Sequence, residues 1–332
     1  MSVRGRATSA SGSACCRLGC TNAITDVPGV AVGHVSLIEG ESVRTGVTAI
    51  KTHLGNPFRE KTRAAAFVLN GFGKTCGLAQ VEELGVLETP ILLTGTLNVP
   101  RVADGLISWI LRQNPDVLSV NPVVGECNDG YLNDIRGRHV REEHVFAAID
   151  GATGGPVEGG VVGAGVGMTC YGFKGGIGTA SRRAGDHTLG ALVLANFGAK
   201  EELRIDGVPV GRELGESREP GDGSCMVILG TDAPVDARQL KRLARRGGLG
   251  LARTGSYASH GSGDFILAFS NQHGSMRDEE LNPLFQAVVE ATEEAVIDAL
   301  FRAETTRGRD GHVREALPIE PTLAIMRRHN YF

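Results

Sequence analysis

The segment GDGSCMVILGTDAP, residues 221–234, joins a glycine-rich turn to an uninterrupted apolar run. The stretch before it, Lys200 to Pro220, is polar and charged, so we expect an exposed connection there. The run from Cys225 to Leu229 is short, apolar and bounded by turn residues on both sides, which is typical of a buried strand. The sequence therefore predicts that a buried strand begins abruptly at this junction.

Segments on either side of the junction have the same character. Further strands are predicted at Val43 to Ile50, Ala64 to Leu69, Val145 to Ile149, Leu189 to Asn196 and Phe265 to Phe269. Helices are predicted from Pro100 to Gln113, from Asp236 to Arg246 with a stop at Gly247-Gly248, and from Leu281 to Leu300. Apolar strands mixed with long amphipathic helices indicate a layered α/β domain. The helices are too few for strict βαβ alternation, which favours mixed or antiparallel sheets.

The composition excludes several classes of function. The 332 residues carry 34 Lys and Arg against 38 Asp and Glu, a net charge of −4, so no excess of positive charge favours nucleic acid or an anionic membrane as a partner. No apolar run approaches the ~18 residues of a transmembrane helix, and cytoplasmic residence is the default expectation. The seven cysteines are scattered and odd in number, which argues against a disulfide framework, and their spacing matches no zinc site.

The amino terminus differs in amino-acid composition from the rest of the chain. The first 21 residues are rich in Arg, Ser and Gly and lack apolar periodicity. We expect residues 1–21 to be a disordered extension and residues 22–332 to form a single domain.

The bond between Gly223 and Ser224 could itself react. Glycine leaves its carbonyl unhindered, so Ser224 Oγ could attack it, form an ester by an N→O shift and be released by hydrolysis. Ser224 would then begin a new chain, and its α-amine, with a pKa of about 8, could act as a base. From the residues alone, a simple turn in which the Ser224 hydroxyl is hydrogen-bonded is favoured over self-cleavage.

Three other groups of residues could assist such a nucleophile. Ser262 and Asp264 lie two apart, which would place a hydroxyl and a carboxylate on the same side of an extended segment. Tyr131 lies in a segment dense in carboxylates and amides and could donate to an oxyanion, although Asx turns explain much of that segment. Asn196, at the end of a predicted strand, could donate through its side-chain amide.

Taken in order, these segments resemble those of one family, the DmpA-type L-aminopeptidase/D-esterase group, which includes the β-peptidyl aminopeptidases. Eight motifs carry the resemblance: NAITDVPGVAVGH (22–34), VRTGVTAI (43–50), EELGVLETPILLTGTL (82–97), ECNDGYLND (126–134), GAGVGMTCYGFKGGIGTASR (163–182), LANFG (194–198), GDGSCMVILGTDAP (221–234) and GSGD (261–264). A single motif would be weak evidence for a resemblance to this family, whereas eight motifs in the same order are specific evidence. The sequence departs from the common pattern at residues 70–73, where other members often carry a different third residue.

The resemblance implies a fold and a maturation step. The fold is an αββα sandwich, with two stacked sheets between helical layers. The Gly223–Ser224 bond is expected to cleave itself, giving residues 1–223 and 224–332. The two fragments are expected to stay together and to assemble as a tetramer of cleaved heterodimers.

The resemblance also implies a site. It places the nucleophile at Ser224, a helper serine and acid at Ser262 and Asp264, and oxyanion donors at Tyr131 and Asn196. The acid is glutamate in some members, so aspartate shortens the reach. Glu126 is a candidate for binding the substrate's ammonium group, because a partly buried carboxylate recognises that charge well. No metal or organic cofactor is implied.

The sequence thus indicates a hydrolase that removes N-terminal residues from short peptides, amino acid amides or esters, with acceptance of D- or β-residues left open. Two rivals remain at this point. One is an acyltransferase of the ornithine acetyltransferase kind, although such enzymes usually cleave before threonine. The other is a non-enzymatic glycine-rich scaffold.

Overall fold

The computed structural model describes residues 16–215 and 223–331. Its strands are β1 Arg17–Leu18, β2 Ala31–Glu39, β3 Val43–Lys51, β4 Thr62–Gly71, β5 Val86–Leu87, β6 Ile91–Gly95, β7 Val123–Cys127, β8 Thr169–Cys170, β9 Phe173–Lys174, β10 Gly176–Ala184, β11 His187–Asn196, β12 Ser224–Thr231, β13 Gly263–Ser270, β14 Thr306–Arg307 and β15 Val313–Arg314. Its α-helices are α1 Leu78–Leu84, α2 Val99–Gln113, α3 Glu142–Asp150, α4 Val210–Glu213, α5 Ala237–Arg253, α6 Asn282–Arg302 and α7 Ile319–Arg328.

Most strands belong to two mixed sheets. The larger sheet has the order β1-β10-β11-β12-β13-β4-β5, and the smaller has the order β2-β3-β6-β7. Pairing is parallel between β12 and β13 and between β6 and β7, and antiparallel elsewhere in both sheets. Each parallel pair is joined through one long helix, α5 or α2, as a parallel crossover requires. The scarcity of helices predicted such mixed sheets.

Three buried apolar cores separate four structural layers. Between the sheets, Ile50 and Leu93 of the smaller sheet share a core with Met226 and Ile228 of β12. Val227, which alternates with them, points to the opposite face and packs in the core that α5 and α6 cover. A third core lies between the smaller sheet and helices α2 and α3. This arrangement is the αββα sandwich that the resemblance implied.

Two predicted elements need correction. Val145 to Ile149 is not a strand but part of α3, because a five-residue apolar run does not distinguish a buried strand from a buried helix turn. Helix α5 continues through Gly247-Gly248 to Arg253. Gly247 lies so close to the sheet that a Cβ there would be 3.1 Å from Ile266 Cγ2. Glycine allows close helix–sheet packing at this position and does not end the helix.

The predicted disordered extension is also partly wrong. Residues 1–15 lie outside the described residues, but those that follow are placed against the larger sheet. Strand β1 pairs with β10, and the Cys16 backbone N–H donates a hydrogen bond to Glu290 on α6 (3.2 Å). The folded domain therefore begins before residue 22, the start that the amino-acid composition indicated.

The connection before the junction is more folded than predicted. Residues 200–215 form a turn of 3-10 helix and α4, and they bury Leu203, Ile205 and Val210. Residues 216–222 lie outside the described residues. No described helix has both the length and the apolar character needed to cross a bilayer.

Candidate active site

Strand ends of the larger sheet bring the predicted residues together. Antiparallel pairing sets Asn196 at the end of β11 opposite Ser224 at the start of β12. Parallel pairing then sets Ser224 beside Gly263 and Cys225 beside Asp264 at the start of β13. Residues that are separated by up to 68 positions in the chain, from 196 to 264, therefore meet at one edge of one sheet.

The Ser224 hydroxyl has two hydrogen-bond donors around it. The backbone N–H of Asn128, which follows β7 of the smaller sheet, donates to Ser224 Oγ at 3.2 Å, and Asn196 Nδ2 lies at 3.5 Å. Asn196 is itself fixed, because its Nδ2 donates to Asn128 O (3.2 Å) and its Oδ1 accepts from Thr169 N (2.8 Å). Two donors that converge on a nucleophile's oxygen can also stabilise an oxyanion formed next to it.

Ser262 and Asp264 form a buried pair beside the serine. Ser262 Oγ donates to Asp264 Oδ1 at 2.9 Å, and both residues are almost fully buried. Asp264 Oδ2 is buried and accepts no hydrogen bond from any residue that the structure describes. Burial raises the pKa of Asp264 to about 6, against the opposing effect of the Ser262 hydrogen bond. A carboxyl group with one open oxygen and a pKa near neutrality is suited to hold or exchange a proton.

Gly223 has a steric reason to be glycine. A Cβ there would lie 2.0 Å from Asn196 O and 2.8 Å from Phe197 Cα, so no side chain fits against the end of β11. The Gly223 carbonyl oxygen accepts a hydrogen bond from Gly263 N at 3.1 Å. That bond polarises the carbonyl which precedes Ser224.

Glu126 lies in the same cleft and is held from two sides. Its Oε1 accepts from the backbone N–H of Lys74 at 2.8 Å, and its Oε2 accepts from the Thr96 hydroxyl. The side chain is only 3% exposed. Because Glu126 and Asn128 are two residues apart, an acidic group is placed close to the donor that contacts Ser224.

Tyr131 lines the cleft but is less directly engaged. Its ring stacks on His312 with centroids 4.5 Å apart, and the Arg314 guanidinium carbon lies 3.6 Å from its centroid. Within the described residues, no hydrogen bond joins Tyr131 to Ser224. The geometry therefore brings Asn196 to the nucleophile and Tyr131 only to the surrounding wall.

The cleft has a volume of about 530 Å³ and opens over Ser224. Its lining includes polar groups that the sequence analysis did not select: Lys74, Thr96, Asn128, Thr169, Lys200 and Arg314. The Asn128 contribution is a backbone N–H, which has no side-chain signature in a sequence. Across residues 16–215 and 223–331, no group of three His, Cys, Asp or Glu side chains is arranged to hold a metal ion.

Comparisons with known proteins show the family to which this chain belongs. Residues 22–314 match the family described as Peptidase family S58. A curated relative, the beta-peptidyl aminopeptidase BapA of Sphingosinicella microcystinivorans, is 40% identical over 94% of this chain and 89% of its own. The beta-aminopeptidase of a Burkholderia species superposes with a TM-score of 0.89 at 40% identity, covering 94% of this chain and 95% of its own.

A third relative is a solved structure of a serine aminopeptidase. The L-aminopeptidase D-Ala-esterase/amidase of Ochrobactrum anthropi superposes with a TM-score of 0.88 at 35% identity, covering 95% of this chain and 96% of its own. That protein is described as a prototype for the serine aminopeptidases and a variant of the Ntn hydrolase fold. On these matches, this chain belongs to peptidase family S58 and is an aminopeptidase.

Proposed function

We propose that the chain matures by cutting its own Gly223–Ser224 bond and then uses Ser224 to remove N-terminal residues from short peptides, amides or esters. The observation that carries this proposal is the position of Ser224 Oγ, which has Asn128 N at 3.2 Å and Asn196 Nδ2 at 3.5 Å. A serine hydroxyl with converging donors has the arrangement that acyl transfer needs.

In the maturation step, Ser224 Oγ attacks the Gly223 carbonyl carbon. The Gly263 N–H, which already bonds that carbonyl oxygen at 3.1 Å, stabilises the charge that develops there. The C–N bond breaks, leaving Gly223 as an ester on Oγ and the Ser224 nitrogen as a free amine. Water then hydrolyses the ester, which releases a carboxylate on Gly223 and restores the hydroxyl.

In the hydrolytic step, the freed α-amine of Ser224 takes the Oγ proton while Oγ attacks the scissile carbonyl of the substrate. Asn196 Nδ2 and Asn128 N stabilise the oxyanion, with Tyr131 on the wall nearby. The departing amine takes a proton, and water hydrolyses the acyl-enzyme. Ser262 and Asp264 orient the amine, because the open Oδ2 of Asp264 is the acceptor that a new ammonium group can bind.

Glu126 binds the substrate's N-terminal ammonium. A nearly buried carboxylate near the nucleophile favours a cation there, which would fix the N-terminus of the substrate next to the scissile bond. This explains why only the first residue would be removed. We include β-residues among the substrates, because a relative that is 40% identical is named a beta-peptidyl aminopeptidase.

The proposal also covers the oligomeric state of the protein and its location in the cell. We infer a tetramer of cleaved heterodimers, which rests on the family resemblance, and we take a cytoplasmic location as the default. The ornithine acetyltransferase alternative is not favoured, because the matched family and the named relatives are peptidases.

Intact mass and N-terminal sequencing test the proposal. The wild type should give two fragments, residues 1–223 and 224–332, with Ser-Cys-Met-Val at the start of the smaller one. Ser224→Ala should remain one chain of 34.9 kDa and show no amidase activity, because both steps lose their nucleophile. Cys225→Ala is the matched control and should still cleave and turn over. Cleavage at another bond, or a processed and active Ser224→Ala, would contradict the assignment.

A further inference from the structure

A buried lysine closes the base of the hairpin formed by β8 and β9, in which Thr169 pairs with Lys174. The Lys174 side chain is fully buried, and its Nζ donates hydrogen bonds to Gly165 O at 2.9 Å and to Gly175 O at 2.8 Å. Within the described residues, Lys174 forms no ion pair with a carboxylate. Burying a cation without a counter-ion is costly, so the position of this lysine needs an explanation.

Both protonation states of the lysine can make these two bonds. Burial lowers the pKa of Lys174 to about 7, and the neighbouring Cys170 acts in the opposite direction. An uncharged amine still has two N–H groups, one for each carbonyl oxygen. The tie between Gly165 and Gly175 therefore does not depend on the charge of the lysine.

The hairpin is attached to the end of β11 on both sides of Asn196. At its base, Gly175 packs so closely on the preceding residue of β11 that a Cβ there would lie 2.4 Å from Ala195 O. At its tip, the Tyr171 N–H donates a hydrogen bond to Phe197 O at 2.7 Å. A displacement of the hairpin would therefore change the surroundings of Asn196 directly.

A hydrogen bond from the hairpin decides which end of the Asn196 amide faces the nucleophile. The backbone N–H of Thr169 lies 2.8 Å from the amide and can only donate, so the atom that faces it is Oδ1. Nδ2 is then the atom turned toward Ser224 Oγ, at 3.5 Å. Without the Thr169 N–H, the amide would be free to turn over and present its oxygen, which would repel an oxyanion.

We propose that Lys174 is a positioning residue, which fixes the hairpin so that Thr169 holds the Nδ2 of Asn196 toward the oxyanion. Lys174 does not line the cleft, so it acts through the hairpin and touches no substrate. The inference rests on the proposed function, in which the N–H of Gly263 serves self-cleavage and Asn196 serves hydrolysis. Loss of the lysine should therefore slow hydrolysis and spare self-cleavage.

The first test replaces the lysine with methionine, which has a similar length and no N–H donor. Lys174→Met should lower kcat for L-alanyl-glycine and β-alanyl-glycine by about 10- to 100-fold, because a misaligned oxyanion donor loses most of its effect. KM should change little, since the oxyanion exists only in the transition state. The cleaved fraction of freshly purified protein, measured by intact mass, should match that of wild type. Equal impairment of self-cleavage and hydrolysis would overturn the inference.

A double-mutant cycle tests whether the lysine acts through Asn196. Asn196→Ala alone should lower kcat by about 10²–10³-fold, the usual cost of losing an oxyanion donor. Adding Lys174→Met to Asn196→Ala should then cost less than about twofold, because no donor remains to be aimed. The same loss in both backgrounds would show that Lys174 acts elsewhere, and the inference would be wrong.

A matched control separates positioning from general destabilisation. Glu290→Gln changes a buried group on α6, outside the hairpin, and its effect on kcat should be the same with and without Asn196→Ala. If Lys174→Met does not fold, Lys174→Gln, whose amide keeps two N–H donors, takes its place in the cycle under the same criterion. If neither variant folds, the lysine serves the fold as a whole and the inference is overturned.

The same measurements keep the inference apart from the function on which it rests. An Asn196→Ala variant with the kcat of wild type would refute the oxyanion assignment, and the inference with it. A slow Asn196→Ala beside a Lys174→Met with the kcat of wild type would refute the inference alone.

Discussion

Asp264 and Glu290 are both buried carboxylates, but their surroundings differ. Glu290, on α6, accepts from Gln286 Nε2 (2.9 Å) on one oxygen and from Arg182 Nε and Cys16 N (both 3.2 Å) on the other. Asp264 accepts from Ser262 on one oxygen and, within the described residues, from nothing on the other. The first carboxylate is fully partnered by the folded chain, and the second is not.

The difference indicates what each carboxylate is for. A buried charge whose hydrogen bonds are complete stabilises the arrangement of the elements that supply them, here β10, α6 and the first described residues. A buried carboxyl with an open oxygen lowers stability unless another group arrives. In the proposed mechanism, the group that arrives is the ammonium of Ser224, created only by self-cleavage.

Exchanging each acid for its amide should give opposite results. Asp264→Asn should slow both self-cleavage and peptide turnover by about 10²–10⁴-fold, because a positioned acid–base partner is lost, while the melting temperature holds. Glu290→Gln should leave turnover per processed molecule within about threefold. It should lower the free energy of unfolding by about 3 kcal/mol, since Arg182 loses one of its two buried carboxylates. Kinetics and thermal melts on both variants decide, and turnover by Asp264→Asn within about threefold of wild type would remove Asp264 from the site.

The pH dependence of stability sharpens the same comparison. Burial raises the pKa of Asp264 to about 6 from 3.8, so between these values the folded state holds a proton that the unfolded chain has released. The contribution of Asp264 to the free energy of unfolding should therefore fall as pH rises from about 4 to about 6 and level off above.

The measurement uses the uncut chain, in which no new ammonium forms. Melting temperatures of Ser224→Ala and Ser224→Ala/Asp264→Asn should be recorded from pH 4 to 8. From about pH 4 to about pH 6, the melting temperature of Ser224→Ala, which keeps the aspartate, should fall relative to that of the double variant. The difference between the two melting temperatures should stay constant above about pH 7. A difference that is flat throughout would show that the Asp264 pKa is not raised in the folded chain.

The smallest expected effect concerns a donor to Glu290. A chain that starts at Asn22 lacks β1 and the hydrogen bond from Cys16 N, whereas a chain that starts at Cys16 keeps both. We expect the shorter chain to melt a few degrees lower, because a net hydrogen bond is worth about 1 kcal/mol, and to keep its activity. Equal melting temperatures would mean that residues 16–21 contribute nothing to stability.

The sequence predicts the site residues that lie at the ends of strands. Asn196, Ser224 and Asp264 each lie where an apolar run starts or stops, and such boundaries are visible without a structure. Asn128 escaped selection because its contribution is a backbone N–H. Arg314 lies in a two-residue strand far along the chain, where no periodic pattern points to the cleft.

The failures in secondary structure have equally specific causes. The run from Val145 to Ile149 is too short for its period to be read, and the length of a helix beyond Gly247 depends on packing partners that only the fold brings together. The first error reflects an ambiguous pattern, and in the second the local preference of glycine to end a helix was overridden by tertiary contacts.

The position of β12 and β13 in the larger sheet bears on what a cut at Gly223–Ser224 would leave behind. Both strands belong to the C-terminal piece, yet their outer neighbours, β11 and β4, belong to the N-terminal piece. Release of the smaller piece would break two hydrogen-bonded ladders at once and expose both faces of the sheet's centre to water. Dissociation of the two pieces would thus be inseparable from unfolding, so the melting temperature of the severed enzyme would fall on dilution, whereas that of an uncut chain would not.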